Sequence, residues 1–219
     1  MIKGILFDLD GTLVDTAADL CGTIQDMQSD RHLDITPLSA MQHLTSGGAR
    51  ALLKAGFGLE PNSPQFSAYL QEFLTRYEAR IARESCLYSG IGPLLNEIKA
   101  CGARWGIVTN KPFYLADQLV RALDIDRDCS VLIGGDTAEK PKPSPAPCLL
   151  AATHLGLQPE QCVMVGDDAR DIEAGQAAGM ITVAVEYGYI ASPVESWGAH
   201  ATVKTTQALS KWLEKHLKP

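Results

Sequence analysis

Short apolar runs recur along the chain, with polar or breaker-rich stretches between them. The first is Ile2 to Phe7. The others are Trp105-Gly106-Ile107-Val108, Val131-Leu132-Ile133, Val163-Met164-Val165 and Ile181-Thr182-Val183-Ala184-Val185. Runs that are continuous rather than alternating predict strands covered on both faces. Helical stretches separate them: Ala116 to Leu123 follows the second run, Pro147 to Leu155 precedes the fourth, and Asp171 to Ala178 follows it. Strands alternating with helices predict an α/β fold with a Rossmann-like parallel sheet.

One region breaks the alternation. From about Thr16 to Glu84 there is no strand-like run. Leu20, Ile24 and Met27 recur at helical spacing, and Leu70, Phe73, Leu74, Tyr77 and Ile81 share one apolar face. The breaker-rich stretch Gly56 to Pro64 separates two of these helices. The pattern predicts a helical insertion over residues 16–84, set into an α/β core made of residues 1–15 and 85–219. It begins directly after the first strand's loop. That places it over the carboxyl end of the sheet, where open α/β sheets bind ligands. The proline-rich stretch Lys140 to Pro147 reads as a rigid loop leading into a helix.

With 219 residues, 46% of them hydrophobic, the chain can bury a core and is not disordered. No apolar run approaches the roughly 18–20 residues of a membrane span. Asp8 and Asp10 interrupt the first run at once, so it does not read as a signal peptide, and a cytoplasmic location is expected. The net charge of −7 makes nucleic acid a poor partner. Arg76, Arg80 and Arg83 are interleaved with Glu78 and Glu84, as on a solvated helix face. None of the six cysteines forms a Cys-x-x-Cys pair or lies at zinc spacing from a histidine, so reduced, buried, structural thiols are expected. The five histidines show no pairing that suggests a role.

Two acidic clusters stand at strand ends. Asp8-Leu9-Asp10-Gly11-Thr12 follows the first run, and Gly166-Asp167-Asp168 with Asp171 follows the fourth. An Asx turn accounts for the first cluster as well as chemistry does, and helix capping accounts for Asp168 or Asp171. Capping does not explain why two separate strands end in aspartates. If those strands are neighbours, Asp8, Asp10 and Asp167 converge, and carboxylates with water suit Mg²⁺. Thr109 and Asn110 end a further strand, and Lys142 stands in the proline-rich loop. An acidic metal site, a hydroxyl and a lysine at successive strand ends suit phosphoryl transfer through a carboxylate nucleophile.

These motifs resemble the haloacid dehalogenase superfamily, in its phosphoglycolate phosphatase-like branch with a helical cap after the first motif. The four motifs occur in order: Asp8 to Thr12, Thr109, Lys142, and Gly166-Asp167-Asp168 with Asp171. The strings Thr45 to Arg50, Val108 to Pro112 and Tyr187 to Ile190 are similar to those of bacterial N-acetylmuramic acid 6-phosphate phosphatases, often labelled phosphoglycolate phosphatases. The resemblance implies that Asp8 is the nucleophile and that Asp10 protonates the leaving oxygen and then activates water. It places Mg²⁺ on the Asp8 carboxylate, the Asp10 carbonyl and Asp167. It has Thr109, Asn110 and Lys142 hold the phosphate. Lys140 is a rival for Lys142, but the register after Lys142 matches better. Asp168 and Asp171 are auxiliary.

Asp10 sets the chain apart from the family's dehalogenases, whose leaving halide needs no proton. Lys54 is the only lysine in the cap span, and the first motif does not match the phosphonate-hydrolysing branch. In the cap, Ser46, Gly47, Gly48 and Arg50 could open a helix toward a substrate carboxylate. A simple interhelix turn with a solvated Arg50 accounts for them equally well. Hinges are expected near Asp15-Thr16 and Ser89-Gly90. The expected activity is a Mg²⁺-dependent phosphatase, a monomer or homodimer, acting on small phosphorylated metabolites such as phosphoglycolate, N-acetylmuramic acid 6-phosphate or another phosphate monoester. A phosphosugar mutase and a silent phospho-ligand-binding regulator are the alternatives.

Overall fold

The structure, a computed structural model, describes residues 2–217. The chain enters through β1 (Gly4–Phe7) and a two-residue strand β2 (Val14–Asp15). Helices α1 (Ala17–Ser29), α2 (Leu38–Met41), α3 (Gly48–Phe57) and α4 (Phe66–Glu78) follow, with a 3₁₀ segment Gln42–Gly47 before α3. Strand β3 (Cys86–Leu87) then returns antiparallel to β2. The rest alternates: α5 (Ile91–Ala100), β4 (Arg104–Val108), α6 (Phe113–Ala122), β5 (Leu132–Ile133), α7 (Ala146–Leu155), β6 (Cys162–Gly166), α8 (Ala169–Ala177) and β7 (Ile181–Val185). Strand β8 (Ala201–Val203) and α9 (Thr206–Leu217) close the chain.

Six strands form one parallel sheet in the order β5-β4-β1-β6-β7-β8. The expected α/β class holds, and the apolar runs are its strands. Their continuity has a simple cause, because alternate residues enter different cores. Ile5, Phe7, Trp105, Ile107, Val163 and Val165 pack on one face against α5, α6 and α9. Leu6, Val108, Cys162 and Met164 pack on the other against α7 and α8. Both faces are buried, so neither set is polar.

Helices α1 to α4 bury a cluster of their own, including Leu20, Ile24, Met27, Leu52, Leu53, Phe66, Phe73 and Tyr77, and Leu115 of α6 plugs into it. Cutting Phe73 to Ala would cost about 3–5 kcal/mol. The exit and return of this helical segment lie side by side, Val14 opposite Leu87 and Asp15 opposite Cys86. Arg80 is not the solvated residue expected from its sequence neighbours. Its side chain is 16% exposed and pairs with Asp26 and Glu84 at 2.7 Å each, because α4 lies back against α1. The cysteines are all free, but Cys86 and Cys101 are exposed rather than buried, since they lie on β3 and at the end of α5. No described helix is long and apolar enough to cross a membrane.

Candidate active site

The register of the sheet builds the site. Phe7 lies opposite Ile107 on one side and Val165 on the other. The residues just beyond, Asp8, Thr109 and Asp167, therefore emerge along one edge. The Asp8 backbone N–H still donates to the Val165 carbonyl at 2.9 Å, which fixes it in line with β6.

Lys142 binds these ends together. Its ammonium donates to Asp8 Oδ1 (2.8 Å), Asp171 Oδ1 (2.6 Å) and the Val108 carbonyl (2.6 Å). All three protons are used. Burial alone would favour the neutral amine, but Asp171 and Asp8 outweigh it and hold the group above the ordinary lysine range. Lys140 is exposed. Asn110 lines the cavity, and its amide braces the loop, donating to the Lys142 carbonyl and accepting from the Lys142 N–H at 2.9 Å each. Thr109 is buried and its Oγ1 accepts from the Lys111 N–H at 3.1 Å.

Asp8, Asp167 and Asp171 each offer an oxygen within 4.8 Å of the others. Asp10 is not in this carboxylate cluster, contrary to the convergence expected from a two-residue period. The chain leaves extended form after Phe7, and Gly11 has φ +93°. Alternation stops where the strand stops. Asp10 turns instead to Thr16, whose Oγ1 donates at 2.7 Å, and to Lys111, whose Nζ lies 2.9 and 3.2 Å from its two oxygens.

Asp167 is wholly buried and accepts from Thr12 Oγ1 (2.7 Å), the Tyr189 N–H (2.8 Å) and Ser46 Oγ (3.2 Å). Asp168 and Asp171 do cap α8 in a reciprocal box, and Asp171 also accepts a hydrogen bond from the Lys142 ammonium. Capping and site-building are the same contact here. Arg170 pairs with Asp168 at 2.7 Å and donates to the Ser46 carbonyl at 2.6 Å.

The electrostatics point to a cation. Five carboxylates, Asp8, Asp10, Asp167, Asp168 and Asp171, face three cations, Lys111, Lys142 and Arg170. With all five carboxylates ionised, two negative charges would be left uncompensated. Burial, with Asp8 and Asp171 nearby, pushes Asp167 well above the ordinary carboxylate range. Burial, against the pull of Lys142, pushes Asp171 up to about 7. Carboxylate oxygens with a deficit of two charges fit a divalent, oxygen-seeking cation.

A cavity of about 500 Å³ opens over this edge. Asp8, Asp10, Thr109, Asn110, Lys111, Lys142 and Asp171 line its floor. Ser46, Gly47, Gly48 and Arg50 line it from the helical segment, where α3 starts at Gly48 with Gly47 as its cap. Leu70, Phe73, Leu74 and Tyr77 of α4 give it an apolar wall. Arg50 is exposed. Lys111, Tyr189 and Arg170 were not singled out from the sequence, and the groups their side chains bind across the site, Asp10, Asp15 and the Ser46 carbonyl, lie 101, 174 and 124 positions away.

A parallel sheet whose central strand ends in a buried aspartate, with a carboxylate cluster able to hold a metal ion and a buried lysine beside it, is the frame of a hydrolase class. The family described as haloacid dehalogenase-like hydrolase matches residues 5–185, and the chain belongs to that family. It is 41% identical over 210 residues to a phosphoglycolate phosphatase of Xanthomonas campestris, covering 96% of this chain and 95% of that one. It is 41% identical over 219 residues to the N-acetylmuramic acid 6-phosphate phosphatase of Pseudomonas aeruginosa, covering 99% and 96%. Among solved structures, a predicted phosphoglycolate phosphatase from Haemophilus somnus superposes with a TM-score of 0.86 at 29% identity, over 97% of this chain and 98% of that one.

Proposed function

We propose that the protein is a Mg²⁺-dependent phosphatase of phosphorylated sugar acids, with N-acetylmuramic acid 6-phosphate as the best candidate. The observation that carries the reading is the Lys142 bridge between Asp8 and Asp171 beneath the cavity. It neutralises Asp8 Oδ1 and leaves Oδ2 free to attack phosphorus. The attack gives an acyl phosphate on Asp8 and expels the leaving oxygen, to which Asp10 supplies a proton. Asp10 then takes a proton from the water that attacks the phosphorus of that acyl phosphate, releasing phosphate and the Asp8 carboxylate. Thr109 supplies a hydroxyl to the phosphate, and Lys142, its protons already committed, acts on it through charge.

The Asp8 carboxylate, the Asp10 carbonyl and Asp167 would hold the cation. When bound, it offsets the charge that builds on the phosphoryl oxygens. The helices of residues 16–84 act as a cap, closing on the sheet through Ser46 and excluding water.

The size and lining of the cavity support a substrate larger than glycolate phosphate. About 500 Å³ is the scale of a site for a drug-sized ligand. The α4 wall suits methyl and acetyl groups, and Arg50 suits a carboxylate. The test is phosphate release, with Mg²⁺ and with EDTA, from N-acetylmuramic acid 6-phosphate, phosphoglycolate and hexose phosphates. Preference for the muramic ester supports the reading, and preference for phosphoglycolate replaces its substrate. Conversion of one sugar phosphate into another, without release, would indicate a mutase.

A further inference from the structure

The site holds a second buried lysine that the mechanism above leaves without a task. Lys111 is held at both ends. Its backbone N–H donates to Thr109 Oγ1 at 3.1 Å, and its carbonyl accepts from the Gly135 N–H at 2.8 Å. Its side chain, 5% exposed, places Nζ within 2.9 and 3.2 Å of the two Asp10 oxygens. The ring of Tyr77, from α4, covers the ammonium at 4.5 Å from the centroid. The buried Tyr77 hydroxyl makes no hydrogen bond of good geometry, and the ring meets the ammonium directly. The division of labour is symmetrical: Lys142 holds Asp8, and Lys111 holds Asp10.

We propose that Lys111 is a positioning residue for Asp10, and that Tyr77 makes its placement depend on the helical segment lying against the sheet. A proton donor must stand within hydrogen-bond reach of the leaving oxygen. Thr16 fixes one Asp10 oxygen and Lys111 braces both, which leaves the carboxyl little freedom to swing away. Tyr77 reaches Lys111 from the element that also walls the leaving-group side of the cavity. When α4 withdraws, the ammonium loses its aromatic cover and Asp10 loses a fixed brace. The inference rests on Asp10 being the acid–base group of the proposed phosphatase.

The test compares two esters. N-acetylmuramic acid 6-phosphate, or phosphoglycolate if that is the better substrate, releases an alkoxide that needs a proton. 4-Nitrophenyl phosphate releases a stable phenolate that does not. Lys111→Met is expected to lower kcat/KM, which reports transfer to Asp8 without the later hydrolysis common to both esters, at least about tenfold more on the alkyl ester than on the aryl ester, with KM changed less than about threefold. Lys111→Arg is expected to recover part of the selective loss. Tyr77→Leu should repeat the selectivity of Lys111→Met, and Tyr77→Phe, which keeps the ring over the ammonium, should show less of that selectivity than Tyr77→Leu.

Equal losses on both esters, or a rise confined to KM, would overturn the proposal, because a merely structural or phosphate-binding lysine gives those patterns. If Lys111→Met does not fold, the Tyr77 pair decides: equal behaviour of Tyr77→Phe and Tyr77→Leu refutes the coupling. Asp8→Asn separates the two readings. Parent turnover that Asp8→Asn abolishes upholds the phosphatase whatever Lys111 does. No turnover of either ester by the parent removes both.

Discussion

Asp19 grips Ser85 across the base of the helical segment. One oxygen of the buried Asp19 carboxylate accepts both the Ser85 N–H (2.9 Å) and the Ser85 hydroxyl (2.6 Å). The Glu84 N–H adds 3.1 Å contacts to both oxygens, and Arg80 Nε stands 3.5 Å away. The first turn of α1 is thereby tied to the returning chain. Asp19→Ala would strand two backbone donors and part of Arg80. The expected loss is about 3 kcal/mol, read as a lower urea midpoint at unchanged slope. An unaltered midpoint would show that the contact is redundant.

Tyr189 pins the other crossing. Its phenol oxygen accepts from the Thr16 and Ala17 N–H groups (2.7 and 2.8 Å) and donates to Asp15 Oδ1 (2.7 Å). Burial, with Tyr88 and Asp15 beside it, keeps the phenol protonated and able to donate. Tyr189→Phe should cost about 2 kcal/mol, because the start of α1 loses its acceptor. The backbone N–H that holds Asp167 survives the change. Mg²⁺ affinity measured by calorimetry should therefore move less than about threefold.

Gly11 has no room for a side chain. Its φ is +93°, and a Cβ there would fall 2.2 Å from Asp167 Oδ2 and 2.7 Å from the Tyr189 ring. Gly11→Ala should lower stability by about 2–4 kcal/mol and phosphate release by at least about a hundredfold. Wild-type turnover in this variant would mean that Asp167 tolerates displacement.

The carboxylate cluster makes the cation's effect depend on pH. Asp167 and Asp171 are raised in the folded protein, Asp171 from 3.8 to about 7. The cation-free folded state therefore holds protons that the unfolded chain has released. Its stability contribution is present at low pH and is lost as pH rises through about 7. A bound divalent cation compensates the ionised forms. The rise in Tm on adding Mg²⁺ should be larger at pH 7.5 than at pH 5, and EDTA should abolish it at both. Equal shifts at the two pH values would count against the cluster as the cation site.

Legibility followed burial and distance. Strands β1, β4, β6 and β7 were plain in the sequence because both of their faces are buried and every residue reports it. β8 was missed because Ala201-Thr202-Val203 is short and partly exposed at the sheet edge. The pair β2 and β3 was missed because two residues carry no period. Helices α5 and α9 went unread although both bury apolar positions in the main core. In the site, Asp8, Thr109, Lys142 and Asp167 announced themselves as polar residues closing apolar runs or set in a rigid loop. Lys111 follows Thr109 by two positions and carries no such signal. Its partner, Asp10, is 101 residues away and is brought near only by the adjacency of β4 and β1.

The central place of β1 has a consequence for biosynthesis. Gly4–Phe7 leaves the ribosome well before its neighbours, which begin at Arg104 and Cys162. Meanwhile residues 17–78 can collapse on contacts almost wholly their own. An unpaired Ile-Leu-Phe segment thus waits in the nascent chain while nearly half of the polypeptide is made. Such a segment invites pairing with other chains. Slow translation between residues 8 and 104 lengthens that exposure, and a chaperone holding the amino terminus shortens it.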